Sequence, residues 1–385
     1  MLFCSRLPSN IQGGVDLRVR NQILALASLG PTAVFALTGS GKIVTPSLEM
    51  WRSSTDPKSV EDVNTMTILS KVVSENRGPY WNRFSDVTAN ELESAIREFK
   101  PDVIIVSRLA LMPYAQRILD TGVKTVVLDM DEPTFDTRTS IASIIDNPGV
   151  ALLYKRYSEA LTKYEKEMVS LSSCVWLSSK QESEKFVRSH PTFENYFIVP
   201  NVVNADEYEI APEKRILGRI IFAANFAYEP NLDGVHFILD ELLPRLPSAS
   251  IDLVGAHMVD WVRKIVHSQV NVVGQVAGIA PYFSQASVAI VPLRAGGGTR
   301  LKALEAMASG VPVVSTSFGV EGLDVADGHD VLIADGADAF AKSCSELEED
   351  AQLRKRLVTN ALFRVRDQYS LPKLKISLAS ALQSA

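Results

Sequence analysis

Residues 294 to 323 read RAGGGTRLKALEAMASGVPVVSTSFGVEGL. An apolar run at 288 to 291 precedes this stretch and another follows Gly310, and both runs predict buried strands. Three consecutive glycines at 296 to 298 permit positive φ angles and the close approach of a ligand. Thr299 is a candidate cap for a helix over 300 to 309. The stretch therefore predicts strand, glycine loop, helix and strand, a unit of a parallel α/β sheet.

The predicted helix has few polar side chains, and Lys302 and Glu305 are two of them. Backbone N–H groups at the helix start, the positive end of its dipole, Arg300 and Lys302 together suit a diphosphate. Glu305 lies one turn further along, where its carboxylate suits the vicinal hydroxyls of a ribose. The alternative is a Lys302–Glu305 surface pair beside a structural glycine turn.

Residues 292 to 323 resemble the nucleotide-sugar site of glycosyltransferase family 4, retaining enzymes of the GT-B fold. Many members have a Glu, seven residues and a second Glu, the second lying in a LEAMA-like helix followed by G-x-PVV. Glu305 matches the second Glu, whereas Gly297 occupies the position of the first. The chain therefore resembles a branch in which a GGGTRLK loop replaces that first Glu and loop backbone contacts the sugar instead.

The resemblance implies an α/β fold with two Rossmann-like, doubly wound parallel-sheet domains facing across a cleft. It implies an acceptor-side domain over 1 to 203, a linker near 201 to 214 and a nucleotide-sugar domain over 215 to 368. A C-terminal helix over 369 to 385 is expected to cross back onto the first domain. Family members hold the nucleobase through backbone groups in the region of 270 to 280.

The implied activity is transfer of a hexose-like sugar from a nucleotide-diphosphate sugar to a hydroxyl, with retention of configuration, in polysaccharide or glycoconjugate synthesis. The acceptor is expected to be a glycan, a lipid-linked or a small molecule. Arg300, Lys302 and the helix start would stabilise the departing diphosphate, without a metal or other cofactor. The missing first Glu prompts one alternative, a catalytically degenerate nucleotide-sugar-binding protein or partner subunit.

Two features in the first half of the chain are further candidates for the functional site. Gly13 and Gly14 follow the first predicted strand, where family members bring a glycine loop to the diphosphate, although a Gly-Gly turn is also a common structural feature. The strand predicted at 125 to 128 leads into Asp129-Met130-Asp131-Glu132, and carboxylates at strand ends are where open α/β sheets place their sites. Family members have a His or an acid here, which makes Asp131 the candidate beside the acceptor hydroxyl, against the alternative of a simple cap.

The predicted catalytic residues are Asp131, Arg300 and Lys302, and the predicted donor-binding residues are Gly13, Gly14, Gly296, Gly297, Gly298, Thr299, Arg300, Lys302, Glu305 and Glu321. No metal site is predicted, although Asp129 and Asp131 also form the DxD pattern of a metal-dependent transferase. The segment Gly39 to Ile43 is not a phosphate-binding P-loop, because Ile43 stands where Ser or Thr is required. Leu301 at a third-glycine position argues against a dinucleotide-dependent oxidoreductase.

Composition is that of a globular protein: 385 residues, 46% hydrophobic, 22% charged and net charge −6. The acidic balance argues against a general nucleic-acid binder. Cys4, Cys174 and Cys344 are few and scattered, which fits a reducing cytoplasm. No apolar run reaches the roughly 18 residues of a membrane span, and Arg6 interrupts any signal-peptide core, so the expectation is a cytoplasmic protein that is free or peripheral at the inner face of the membrane.

Several local features are also predicted from the sequence. Arg18 and Arg20 are expected to be solvated on the first helix, and Glu165 to lie on the solvated side of a long charged helix. Residues 45 to 85 have no clear period and are interpreted as an insertion or a variable loop. A single helix is predicted over 232 to 246.

Overall fold

The computed structural model describes residues 1–8, 13–38, 48–54, 65–74, 78–208 and 210–384. Their contacts divide the chain into two compact units. The first comprises Met1–Ile11, Val15–Pro200 and Leu374–Ala385, and the second comprises Gln12–Gly14 and Asn201–Lys373. The segment Gly39 to Ile43 lies outside the described residues.

The first unit is built on a parallel sheet in which seven described strands have the order β3-β2-β1-β4-β5-β6-β7. The strands are β1 (Leu2–Arg6), β2 (Thr32–Thr38), β3 (Leu48–Arg52), β4 (Val103–Ser107), β5 (Thr125–Asp131), β6 (Cys174–Leu177) and β7 (Tyr196–Ile198). The helices are α1 (Gly14–Leu29), α2 (Thr65–Ser74), α3 (Asp86–Phe99), α4 (Ala115–Leu119), α5 (Thr134–Ser143), α6 (Pro148–Ser170) and α7 (Lys180–Ser189), and the last helix of the chain, Leu371–Ser384, joins this unit from residue 374. Because helices cover both faces of a parallel sheet, the central strands are almost wholly apolar.

The core of the first unit is centred on aromatic rings from neighbouring elements. Phe3 of β1 meets Phe35 of β2 at 5.8 Å between ring centroids and Tyr114 at 5.3 Å, both edge to face. All three rings are fully or almost fully buried. The first predicted strand, which precedes Gly13, is β1.

The prediction of an insertion over 45 to 85 is wrong in part. Residues Leu48–Arg52 form β3, which pairs in parallel with β2 and lies at the edge of the sheet. An edge strand is short and half exposed, and here it contains Glu49 and Arg52, so it lacks the apolar run that marks a central strand. Helix α2 follows, with Ile68, Leu69 and Val72 buried.

The prediction that Arg18 is solvated is also wrong. Its side chain is 4% exposed and forms two hydrogen bonds with the fully buried Asp129, from Nε at 3.1 Å and from Nη2 at 2.5 Å. The Gln22 amide donates to the same carboxylate at 2.9 Å, and Arg18 Nη1 donates to the Val199 carbonyl at 3.0 Å. A buried charge needs a paired partner, and this cluster supplies it.

Glu165 likewise contradicts its predicted place on the solvated side of α6. It is 1% exposed and accepts hydrogen bonds from the backbone N–H of Thr134 at 2.7 Å and from the Thr134 hydroxyl at 2.5 Å. Burial raises the pKa of this carboxyl, and the bonds from Thr134 oppose that effect. Glu165 therefore anchors the start of α5 to α6 and is not exposed to solvent.

The second unit contains a parallel sheet whose six described strands have the order β10-β9-β8-β11-β12-β13. The strands are β8 (Ile216–Ala223), β9 (Ser250–Val254), β10 (Val270–Gly274), β11 (Ala286–Val291), β12 (Val313–Ser315) and β13 (Leu332–Ile333). The helices are α8 (Glu229–His236), α9 (Asp260–Arg263), α10 (Ala280–Gln285), α11 (Leu301–Ala308), α12 (Ala337–Glu349), α13 (Ala351–Gln368) and, from its start to Lys373, α14 (Leu371–Ser384).

The single helix predicted over 232 to 246 is three consecutive pieces. Helix α8 begins earlier, at Glu229, with Pro230 in its first turn, where a missing N–H costs nothing. It continues as a π-helical segment, Phe237–Leu242, and ends in a 3₁₀ turn, Leu243–Arg245. The region is helical as predicted, but the spacing of its apolar residues does not distinguish the three helical geometries.

Candidate functional site

The strand order of the second sheet determines where a site can form. Strands β8 and β11 are neighbours, and the chain moves outward from β8 in one direction and from β11 in the other. Connections after two such strands diverge and leave a crevice at their carboxyl ends, which is where open α/β sheets bind ligands. The loop of residues 292 to 300 and the segment of residues 224 to 231 leave the sheet at this point.

The glycine loop is held by Arg300. Its side chain is 5% exposed, Nε donates to the Phe318 carbonyl at 3.2 Å, and Nη1 donates to the Gly297 carbonyl. Nη2 lies 3.5 Å from Glu321 Oε2, and the guanidinium stacks on the Phe318 ring at 4.8 Å. These bonds use three of the five N–H groups of a guanidinium. The predicted residues Gly297, Arg300 and Glu321 are therefore in contact.

Thr299 does not cap the helix as predicted. Helix α11 begins at Leu301 with Arg300 as its N-cap, and no side chain of the described residues caps it. The Thr299 hydroxyl is buried without a hydrogen-bond partner in the described part of the chain. The N–H groups of Leu301 and Ala303 donate to the carbonyls of Thr299 and Arg300, both at 2.9 Å, so the helix start offers an anion chiefly the positive end of its dipole.

Lys302 is directed toward the neighbouring loop. Its Nζ donates to Asn231 Oδ1 and lies 5.1 Å from the centre of the Phe222 ring, while the Asn231 amide donates to the Asn225 carbonyl at 2.7 Å. Burial lowers the pKa of Lys302 to about 7, and repulsion from Arg300 adds to the shift. Two cations thus lie close together in a partly desolvated site, an arrangement that a bound anion would stabilise.

Glu305 is one turn further along α11. The Tyr208 hydroxyl donates to its Oε1 at 3.1 Å. Burial raises the pKa of Glu305 to about 7, while the bond from Tyr208 and the charge of Lys302 oppose the increase. The surface-pair alternative is not what the structure has, because Lys302 and Glu305 each bond to a different partner and influence each other only through their charges.

The remaining predicted residues lie in other parts of the chain. Gly13 and Gly14 are at the start of α1 and group with the second unit by their contacts. Asp131 belongs to the first unit, where β5 extends three residues beyond its predicted end. The register of β5 against β6 shifts between Asp129 and Asp131, and Asp131 has a φ of 68°.

The two aspartates of the DMD sequence differ sharply in environment. Both carboxylate oxygens of Asp129 accept hydrogen bonds from Arg18 and Gln22. A metal bound by Asp129 would have to break those bonds. The Asp131 side chain is 16% exposed, with Oδ1 at 3.9 Å from Arg18 Nη1, and its carbonyl accepts bonds from the N–H and hydroxyl of Ser178.

Sequence reasoning missed three residues of the second-unit site: Asn231, Phe318 and Tyr208. Asn231 follows Pro230 at a helix start, a position where an amide is unremarkable. Phe318 lies within the quoted stretch, three residues before Glu321, and this spacing is the one available signal. Nothing in the sequence associates Tyr208 with Glu305.

A separate cavity of about 300 Å³ lies at the carboxyl ends of β9 and β10. It is lined by His257, Met258, Arg263 and residues 272 to 275, among others. This is the region in which the family resemblance expects a nucleobase.

Within the described residues, no group of three or more His, Cys, Asp or Glu side chains is arranged to hold a metal, and no described helix is both long and apolar enough to span a membrane.

Gly296 provides a first test of the loop geometry. Its φ is 113°, and an added Cβ would lie 2.8 Å from the Tyr228 hydroxyl. Gly296→Ala is therefore expected to lower the free energy of unfolding by about 1–3 kcal/mol, measured by chemical denaturation. Gly297→Ala is the matched control, because Gly297 is not among the positive-φ glycines, and it should cost less. Equal losses for the two variants would contradict this account of the loop.

Comparison with known proteins bears on the fold. The model of a family described as glycosyl transferases group 1 matches residues 218–350. Among solved structures, a sucrose-phosphate synthase from Thermosynechococcus elongatus has a TM-score of 0.76 at 16% identity, over 100% of this chain and 98% of that one. HepE from Anabaena, in complex with UDP and glucose, has a TM-score of 0.71 at 13% identity, over 100% and 99%.

A glycosyltransferase from Rickettsia africae has a TM-score of 0.65 at 13% identity, over 100% of this chain and 98% of that one. No curated protein sequence matches the chain. The two parallel sheets and these likenesses define the class: the chain has the GT-B fold of glycosyltransferases, which confirms the predicted fold. Within that class, residues 218–350, which lie in the second unit, match glycosyl transferases group 1.

Proposed function

We propose that the chain transfers a sugar from a nucleoside diphosphate sugar to an acceptor hydroxyl, with retention of configuration, as members of family 4 do. The second unit would bind the donor and the first unit the acceptor. The observation that carries the proposal is the pair of cations at the start of α11, at the switch point of the second sheet. Lys302 and Arg300 repel each other there, and a diphosphate would relieve that repulsion.

The proposed reaction depends on charge stabilisation. The bond from the anomeric carbon to the diphosphate oxygen breaks with its electron pair on the diphosphate. The acceptor oxygen forms the new bond on the same face, and its proton passes to the departing diphosphate. Lys302, the remaining N–H groups of Arg300 and the positive end of the α11 dipole would stabilise the departing charge. Gly296, Gly297 and Gly298 would admit the sugar to the loop backbone, and Asp131 would accept a hydrogen bond from the acceptor.

The first experiment is a thermal-shift screen with UDP, GDP, ADP and their sugar derivatives. A ligand that binds only the native state raises the melting temperature, by an amount equivalent to about 2.7 kcal/mol at 100 times its Kd. UDP is the first compound to test, because HepE was solved with UDP and with UDP-glucose. NMR of the anomeric proton in the product then tests retention, and we expect turnover to persist in EDTA.

The alternative is a nucleotide-sugar-binding protein without catalytic activity. The observation that favours it is Gly297 at the position where the family motif has its first Glu. Binding of a donor without hydrolysis or transfer, over a panel of acceptors, would support this alternative. Turnover of any donor by the purified chain would exclude it.

The two shifted pKa values predict a pH dependence of donor binding. Lys302 loses its proton as the pH rises through about 7, so affinity should fall above that pH by up to tenfold for each pH unit. Glu305 gains a proton as the pH falls through about 7, which weakens it as an acceptor for ribose hydroxyls. Affinity is therefore expected to be highest near pH 7, measured by calorimetry between pH 5.5 and 9.

Two variants separate the two sides of this profile. Lys302→Arg keeps its charge throughout the range and should abolish the decline above pH 7. Glu305→Gln has no titrating carboxyl and should abolish the decline below pH 7. A wild-type affinity that is constant from pH 6 to pH 9 would show that neither group titrates in the site.

A further inference from the structure

The Glu305 carboxylate is held by a residue 97 positions earlier in the chain. Tyr208 follows a 3₁₀ turn, Ala205–Glu207, in the segment that leads from residue 201 to β8. The turn is closed by the Asn204 amide, which donates to Glu207 Oε1 at 3.1 Å, and by the backbone bond from Tyr208 to Ala205. The Tyr208 side chain is half-buried. Because the turn is closed by these bonds, it fixes the position from which the Tyr208 hydroxyl reaches Glu305.

The contact has two consequences for Glu305. Burial disfavours the ionised carboxyl and raises its pKa, whereas the Tyr208 bond favours the ionised form. The bond also occupies Oε1, and within the described residues no other side chain donates to this carboxylate. Oε2 is therefore the oxygen available to a ligand, and its direction is set by the bond on the other oxygen.

We propose that Tyr208 is a positioning residue that orients Glu305 toward a ribose hydroxyl, so that the site selects ribonucleoside over deoxyribonucleoside diphosphates. This inference rests on the proposed function of the same site. Glu305 touches the ligand, and Tyr208 acts through Glu305. The competing possibility is that Tyr208 only anchors the 201 to 215 segment on α11, in which case its loss affects stability and not selectivity.

The test is a selectivity ratio measured by calorimetry at pH 8, where Glu305 is largely ionised. The probes are UDP and its 2′-deoxy and 3′-deoxy forms, or the GDP or ADP series if the parent compound binds more tightly. Wild type is expected to prefer the ribonucleotide over at least one deoxy form by about tenfold or more, the value of one hydrogen bond to a charged group. Tyr208→Phe should reduce that ratio at least threefold.

A double-variant cycle identifies the route of the effect. Glu305→Gln should reduce the ratio as well, and Tyr208→Phe should have little further effect in the Glu305→Gln background. Tyr369→Phe is the matched control: its hydroxyl accepts a bond from the Asp324 N–H at 2.7 Å in the same unit, so its loss should leave the ratio unchanged. Thermal melts confirm that each variant is folded.

The outcomes distinguish this inference from the proposed function. If wild type binds no nucleoside diphosphate, the proposed function fails, and the inference fails with it. If wild type binds and discriminates but Tyr208→Phe keeps the full ratio, only the inference is overturned. Binding by wild type without any discrimination against either deoxy form also overturns it.

Discussion

Replacing Lys302 by Met is expected to weaken the binding of a nucleoside diphosphate about 10- to 100-fold, the value of a charge-assisted hydrogen bond to phosphate. The stability of the empty protein should be unchanged or higher. The reason is that burial and Arg300 already lower the pKa of Lys302 to about 7, so the folded protein resists this charge. Met keeps most of the apolar stem and removes the amine, which donates to Asn231 and lies over the Phe222 ring. Calorimetry at pH 6.5 and ligand-free melts measure the two quantities.

Arg300 should behave differently because its side chain also supports the fold. Arg300→Met loses the bonds to Gly297, Phe318 and Glu321, so it should lower both donor affinity and the melting temperature. Lys342→Met is the matched control for Lys302, since that lysine on α12 is 78% exposed, and it should change neither quantity. Affinity of Lys302→Met within twofold of wild type would remove Lys302 from the donor site.

The local part of the site was predictable because its signals are close together in the sequence. The helix predicted over 300 to 309 is α11, Leu301–Ala308, since apolar spacing and a terminal glycine fix a helix within a few residues. The glycine loop and the strands beside it were predicted in the same way. The spacing of residues along the chain does not reveal the hydrogen-bond partner of each polar side chain. Lys302 bonds to a residue 71 positions away and Glu305 to one 97 positions away.

The same limit explains the errors in the first unit. A period of 3.6 assigns Arg18 to a helix, but its charge partner, Asp129, is 111 residues further along the chain. Without that partner, an arginine in a helix is expected in solvent. Edge strand β3 was missed for another reason: its exposed side makes a short strand resemble a polar loop.

The pair of Arg18 and Asp129 should have the largest effect on stability. Arg18→Met is expected to lower the free energy of unfolding of the first unit by about 3–5 kcal/mol, because it leaves a fully buried carboxylate without its cation. Denaturation followed by tryptophan fluorescence measures it, since Trp51, Trp81 and Trp176 belong to the first unit and only Trp261 to the second.

Two further variants separate the loss of a pair from the cost of an orphaned charge. Arg156→Gln breaks the exposed pair of Arg156 and Glu159 on α6, with 60% and 64% of the side chains exposed, and should cost less than about 0.5 kcal/mol. Arg18→Met combined with Asp129→Leu removes both charges and should recover much of the stability, because well-packed apolar residues can replace a buried ion pair. If the double variant is as unstable as Arg18→Met alone, the lost stability came from packing around α1 and the Val199 contact, and not from the isolated carboxylate.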